Sequence, residues 1–398
     1  MTELLSLALL GFFAIIAPLT AKISKIPCVV IEIVLGMLLG RTLFNVVDVN
    51  GAWTSFLFDF GLIYLLFLAG LEIDVKFLRK NAMDSLVIGS ASTLIPFALG
   101  YVTGALLNAD PMILGAIFST TSVGIVLPAA KEMEESMNNV LSSEKPFSKI
   151  LIGATTVSDM GSMLILAFIV QSESGNLNMI PLIFLSMLLM IPSLKAIRAY
   201  SKIVHRIQDL EKRYHFTTRL AMILMIVFAA LAEAIGVHAV VGSFFAGILV
   251  SELTESSEDL LKSLTSFGYA LFLPMFFLIA GAKIDLPAAL HGGDLLLLPV
   301  FLVLSFVGKL GGTYAAAIKR GLGKEASLVM GTFMWAKLSL TIAAAEAGLK
   351  LGMIDIPLYS TLIVFALLTV VLAPIMAKVL VSKYASFIAE VEAAEEVL

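Results

Sequence analysis

An apolar run of about 20 residues can cross the roughly 30 Å hydrocarbon core of a bilayer as a helix, which pairs every backbone N–H and C=O within the segment. This chain carries thirteen apolar runs of that order, near 4–20, 26–40, 52–72, 85–107, 111–130, 149–171, 177–194, 217–235, 238–251, 263–282, 295–318, 326–348 and 356–377. Each ends at charge or at Gly/Pro, so the expected fold is all-α and polytopic. Composition agrees: 398 residues that are 59% hydrophobic and 14% charged, with mean hydropathy +1.01, are too apolar for a soluble protein. The lone Cys28 excludes an internal disulfide and a cysteine-based zinc or iron–sulfur site. Glu3, where a signal peptide has Lys or Arg, makes the first run a spanning helix rather than a leader.

Lys and Arg alternate cleanly between the two ends of these runs. Of the 26, 21 fall on one side, three on the other (Arg41, Lys283, Lys350), and two (Lys309, Lys337) lie within helices. The basic side is expected in the cytoplasm, with the N-terminus outside and the C-terminus inside. The segment 195–216 places Ile197, Tyr200, Ile203, Val204, Ile207 and Leu210 at helical spacing among basic residues, which reads as an amphipathic surface linker. Residues 378–398 form a short, acidic cytoplasmic tail.

The chain also repeats. FLAGLEID at 67–74 returns as FLIAGAKID at 277–285, an offset of 211 residues that also carries Val29-Val30 and Gly36 onto Val240-Val241 and Gly247. By the charge count the two copies run in opposite directions, giving inverted halves near 26–194 and 237–377. Inverted repeats are the architecture of secondary transporters, whose sites lie where paired, interrupted helices meet.

Within that architecture one side chain stands out. Asp159 lies mid-helix in ILIGATTVSDMGSMLILAF, 150–168, and a carboxylate at bilayer depth marks a functional site unless it is a buried structural ion pair. Thr155, Thr156 and Ser158 flank it with hydroxyl oxygens suited to a hard monovalent ion. Two runs are poor continuous helices: GAIFSTTSVGIVLP, with Thr120, Thr121 and Ser122 beside Ser119, then Gly124 and Pro128; and MGTFMWAKLSLT, with Gly331, Thr332, Lys337, Ser339 and Thr341. If both unwind, freed carbonyls and hydroxyls can bind a cation; otherwise these hydroxyls return hydrogen bonds to their own helices. Lys309 is the second mid-helix lysine, either a proton carrier or a permanent charge partner. Lys337 is expected to neutralise facing helix dipoles. Glu32, Asp59, Glu233 and Glu346 carry no assigned role, and Glu72 and Asp74 are expected as a solvated helix end. His205 and His215 belong to the basic linker.

LLFLAGLEID, the STTS break, TTVSD, and Lys309 followed by KRGLGKEAS together resemble the monovalent cation:proton antiporter superfamily, in its branch of bacterial sodium/proton antiporters and Kef-type potassium efflux transporters. The resemblance covers essentially the whole chain. It implies a thirteen-helix fold with crossing broken helices, a dimerisation domain and a mobile core domain. It also implies a carboxylate at the crossing, which falls on Asp159, and a core lysine, which falls on Lys309. The implied activity is exchange of Na⁺ or K⁺ for H⁺ by an elevator-type movement in a homodimer. The transported ions are the only ligands implied, with no cofactor, and Kef-type regulation would need a separate subunit. Ser158 stands where the family has Asp, Asn or Gln, and Ala-Lys-Leu-Ser around Lys337 replaces a Pro-Arg-Gly-Glu-like element. Ion preference and charge per cycle are therefore not carried over.

Other classes have weaker support. A cation channel needs a filter loop, and Phe267-Gly268-Tyr269 is too short for one. An intramembrane enzyme needs a nucleophile–base pair, whereas Ser158 points about 100° away from Asp159 on a helix. A sodium-coupled solute symporter shares the inverted-repeat plan and would be revealed by an organic substrate.

Overall fold

The structure is a computed structural model describing residues 3–24, 27–71, 82–107, 109–123, 125–126, 147–173, 215–234, 239–253, 258–292 and 294–395. All regular structure among these residues is helical. Eight described helices are long and apolar enough to cross a membrane, and Cys28–Leu39 and Gly242–Glu252 are shorter apolar helices. The protein is a multi-pass, all-helical membrane protein. The run expected at 177–194, nearly all of the 195–216 linker, and Glu72, Asp74, Gly124, Pro128 and His205 lie outside the described residues.

The chain divides into two compact units, residues 1–76 with 167–285 and residues 77–166 with 286–398. The first contains α1 (Glu3–Ser24), α2 (Cys28–Leu39) and α3 (Ala52–Leu71). It also contains α7 (Phe216–Ala234), α8 (Ala239–Leu253), α9 (Glu258–Phe267) and, after a π-turn at Gly268–Phe272, α10 (Leu273–Ala282). Between lipid-soluble helices hydrophobicity supplies no driving force, so close packing must come from small residues. Glycine does this here at two helix pairs. A Cβ at Gly36 of α2 would collide with the Leu278 carbonyl of α10, and one at Gly281 of α10 with the Ile33 carbonyl of α2. A Cβ at Gly70 of α3 would collide with the Phe244 carbonyl of α8, and one at Gly247 of α8 with the Phe67 carbonyl of α3. The obstacle is backbone in each case and cannot swing aside. We expect Gly281→Val to lower stability by about 1–3 kcal/mol or more, as overpacking does, read as thermal unfolding in detergent; an unchanged transition would contradict this packing.

The second unit contains α4 (Ala82–Leu106), α5 (Pro111–Ser119), and α6 (Phe147–Glu173) as far as Leu166. It continues with α11 (Leu286–Gly292), a 3₁₀ turn at Asp294–Leu297, and α12 (Leu298–Lys319). It ends with α13 (Lys324–Phe333), α14 (Ser339–Lys350) and α15 (Ile356–Glu395). Its core joins Ile88, Ile150, Leu151 and Ala154 to Ala317, Met330, Phe333 and Ala373. Asp110 starts α5, its Oδ1 accepting from the Ile113 N–H at 2.8 Å, with Pro111 at the first helical position.

The run at 326–348, read in the sequence as a poor continuous helix, is two helices, α13 and α14, parted at Met334–Leu338. Two further boundaries add to the sequence reading. Leu286–Gly292 and Asp294–Leu297 form short helical turns that apolar length alone does not reveal. The tail expected from residue 378 continues α15 to Glu395, since residues 378–395 contain neither Gly nor Pro and are rich in Ala, Glu, Lys and Leu-type helix formers.

Candidate ion-binding site

The site is built from two helix interruptions in the second unit. After Ser119 the backbone leaves the helix at Thr120, Thr121 and Ser122. The helix resumes with Ile125 and Val126 donating to the Ser122 carbonyl at 3.2 and 3.0 Å. The second interruption, between α13 and α14, meets the first: the Ser122 N–H donates to the Ala336 carbonyl at 2.9 Å, and Thr121 Oγ1 donates to the Met334 carbonyl at 3.2 Å. Thr120 Oγ1 and Thr341 Oγ1 lie 2.7 Å apart.

A helix that stops in an apolar interior leaves its last four carbonyls without partners. At the end of α5 each has one. Ser119 Oγ donates to the Ala116 carbonyl at 2.7 Å, and Thr120 Oγ1 to the Ile117 carbonyl at 2.8 Å. Lys337 Nζ donates to the Phe118 carbonyl at 2.5 Å and also to the Thr120 carbonyl at 2.8 Å. Lys309 Nζ donates to the Ser119 carbonyl at 2.6 Å, which Ser162 Oγ also reaches at 2.8 Å. Two ammonium groups thus lie at the negative end of one short helix, where its dipole favours cations. Both lysines are fully buried. Thr369 Oγ1, on α15, accepts from the Lys337 N–H at 3.2 Å and steadies the segment that carries it.

Lys309 rises from the middle of α12 into a cage of neutral oxygens. Besides the Ser119 carbonyl, Nζ reaches Thr121 Oγ1 at 2.5 Å, the Ser92 carbonyl at 2.7 Å, Ser158 Oγ at 3.0 Å and Ser92 Oγ at 3.3 Å. The Ser92 carbonyl is free for a reason visible in the chain: four residues on, Pro96 has no N–H to return to it. Ser158 Oγ is held in turn by Thr93 Oγ1 at 3.0 Å and Thr121 Oγ1 at 3.1 Å.

Asp159 follows Ser158 on α6 and is half-buried. Its carboxylate acts electrostatically on Lys309, and Lys309 on Lys337. Thr155 and Thr156, one turn earlier, donate to the Leu151 and Ile152 carbonyls at 2.8 and 2.9 Å. Their protons stay within their own helix while their lone pairs remain available.

Of the residues singled out in the sequence, Thr120, Thr121, Ser122, Ser158, Lys309 and Lys337 therefore fall in one hydrogen-bonded network, with Asp159 at its edge. Ser92, Thr93, Ser162 and Thr369 join it without having been singled out. Only Ser92 left a signal, a serine four residues before a proline in a membrane helix. The other acids lie elsewhere. Glu32 is buried in α2 of the first unit, accepting from Cys28 Sγ at 3.6 Å. Asp59 and Glu233 are exposed. Glu346 is buried in α14 with Lys350 Nζ 3.9 Å away. Among the described residues no three His, Cys, Asp or Glu side chains cluster as a multidentate metal site.

The chain is 29% identical over 371 residues to the probable Na⁺/H⁺ antiporter 3 of Methanocaldococcus jannaschii, covering 91% of this chain and 92% of that protein. It is 26% identical over 365 residues to an Na⁺/H⁺ antiporter of Enterococcus hirae, covering 90% and 92%. Its fold matches the sodium proton antiporter MjNhaP1 of Methanocaldococcus jannaschii, solved at pH 8, with a TM-score of 0.69 at 18% identity over 96% of this chain and 99% of that one. A family model described as sodium/hydrogen exchanger, transmembrane, matches residues 11–383. Matched by that family model over nearly its whole length, the chain belongs to the transmembrane sodium/hydrogen exchanger family, within the monovalent cation:proton antiporter superfamily.

Proposed function

We propose that this protein exchanges Na⁺ for H⁺ across the cytoplasmic membrane, with Asp159 as the group that both ions use. The observation that supports this reading is that Asp159 adjoins Ser158 and acts on Lys309, both members of a network of carbonyl and hydroxyl oxygens where two helix interruptions meet. Hard oxygen ligands suit a monovalent cation. A proton and a cation neutralise the same carboxylate, so each excludes the other. If only the neutralised site crosses the barrier, competition becomes obligatory exchange. Thr120, Thr121, Ser122, Thr155, Thr156 and Ser158 supply the candidate oxygens. Lys309 and Lys337 hold the helix end together and set the charge against which Asp159 works. The names of the relatives at 29% and 26% identity support Na⁺ as the first cation to test.

The mechanism we infer is alternating access in which the second unit, which carries the site, moves as one body. It rests on the resemblance and on the internal repeat. What supports the repeat is a symmetry of contacts: the offset of 211 carries Gly36 against Leu278 onto Gly247 against Phe67, with the roles of the two halves exchanged. It likewise carries Ile33 against Gly281 onto Phe244 against Gly70. The charge asymmetry supports an outside N-terminus and a cytoplasmic C-terminus.

The test is dissipation of a pH gradient in proteoliposomes on adding Na⁺, Li⁺ or K⁺ separately. We expect Na⁺ to discharge the gradient and choline to leave it intact. Silence towards all three from folded protein would count against antiport. Na⁺ uptake that needs an organic solute instead would identify a symporter.

A further inference from the structure

The second unit carries a groove that the exchange reaction does not use. It has a volume of about 480 Å³ and runs between α4 and α6, with Ser85, Ser90 and Thr93 on one wall and Val157, Met160 and Leu164 on the other. Both helices are candidate membrane spans. Leu86 and Leu94, which also line it, are 51% and 60% exposed, so the groove opens outward rather than into the packed core. Its α4 wall runs from Ser85 to Leu94, nine residues or roughly 14 Å at 1.5 Å per residue. That is about half of the roughly 30 Å hydrocarbon thickness, the depth of one leaflet.

The two ends of the groove differ in polarity. Contacts of Gly89 with Ala154 and Val157, and of Gly161 with Thr93, show that α4 and α6 rise side by side in the same direction. The first described residues of the two helices, Ala82 and Phe147, therefore lie towards the same end of the groove. Lys149 is exposed at that end of α6, eleven residues or about three turns below Met160 and so on the same helix face. Ser85, one turn into α4, has its Oγ buried with no hydrogen-bond partner among the described residues. A ligand that fits has an apolar body of one leaflet's depth, an acceptor oxygen at the level of Ser85, and negative charge at the level of Lys149.

We propose that this groove binds one acyl chain of an anionic phospholipid, with an ester carbonyl accepting from Ser85 Oγ and the headgroup phosphate facing Lys149. The consequence for transport runs through Thr93, whose side chain lines the groove and also lies 3.0 Å from Ser158 Oγ in the oxygen cage. A chain in the groove backs Thr93 against Ser158. Bound lipid therefore steadies the candidate ion site from behind.

The experiment compares the native protein with Ser90→Phe, which fills the groove from a residue outside the oxygen cage, and with Lys149→Gln. Lipid retained through purification is counted by native mass spectrometry. Exchange is measured in phosphatidylcholine vesicles with and without phosphatidylglycerol. We expect the native protein to retain phosphatidylglycerol and to run several-fold faster in its presence. Ser90→Phe should lose the bound lipid and the acceleration while keeping the rate seen in phosphatidylcholine alone. Lys149→Gln should bind phosphatidylglycerol no better than phosphatidylcholine. Undiminished lipid retention in Ser90→Phe would overturn the proposal, as would a preference for phosphatidylglycerol over phosphatidylcholine in Lys149→Gln as strong as that of the native protein. The lipid count is independent of transport, so a failure of the antiport reading would leave this result interpretable.

Discussion

Asp159→Asn is expected to reduce Na⁺-driven proton movement to that of protein-free vesicles while leaving the protein folded. Asn matches Asp in shape and can occupy the same half-buried position on α6. It cannot bind a proton, and it offers a cation only a neutral carbonyl. The hydrogen bonds that hold Lys309 run to Ser92, Ser119, Thr121 and Ser158 and survive the substitution, so most of the stability should be retained even as exchange disappears. The pairing of lost flux with retained thermal stability is the signature to look for. Exchange surviving in Asp159→Asn would move the coupling carboxylate elsewhere, with Glu346 in the same unit the next candidate.

Lys337→Met should have the opposite profile, a large loss of stability with transport lost as a consequence. Methionine fills similar volume but leaves the Phe118 and Thr120 carbonyls without the ammonium that now satisfies both. A buried polar group left unpaired costs about 1–3 kcal/mol, and the lost charge at the end of α5 adds up to about 2 kcal/mol in a partly buried setting. A fall of roughly 2–8 kcal/mol is expected on those terms, measured as thermal or denaturant unfolding in detergent. Lys309→Met offers the comparison, because the Ser119 carbonyl keeps Ser162 Oγ as a donor. It should be the milder lesion in stability. If the order of the two variants were reversed, the assignment of Lys337 as the principal cap of α5 would be wrong.

Asp159, Lys309 and Lys337 could be singled out from the chain because a charge within an apolar run is visible without coordinates. The two interruptions were legible for a related reason: clustered Ser and Thr in STTS, and a lysine in MWAKLS, interrupt otherwise apolar helices. The partners of these residues were not legible. Ser92, Thr93, Ser162 and Thr369 look like ordinary hydroxyls that bond back to their own turn, and Thr93 and Thr369 do make such contacts, with Gly89 and Ala366. Which of them also faces the site depends on helix rotation, which sequence spacing within one helix cannot supply. The break within 326–348 was expected, but its position at Met334–Leu338 depends on where the Thr120–Ser122 segment meets it.

The sequence by itself determined the membrane class, the all-helical fold and the residues too costly to be incidental, because bilayer insertion acts on local composition and on each charge separately. It also carries the matches on which the proposed repeat rests, Gly36 with Gly247 and Gly70 with Gly281, each 211 residues apart. Only the tertiary structure decided which carbonyls those charges satisfy. Lys309 is far along the chain from Ser92, Ser119 and Ser158, and five oxygens converge on its ammonium only after four segments have packed. A helix end must find donors wherever packing brings them, and that is a property of the assembled bundle rather than of any stretch of residues.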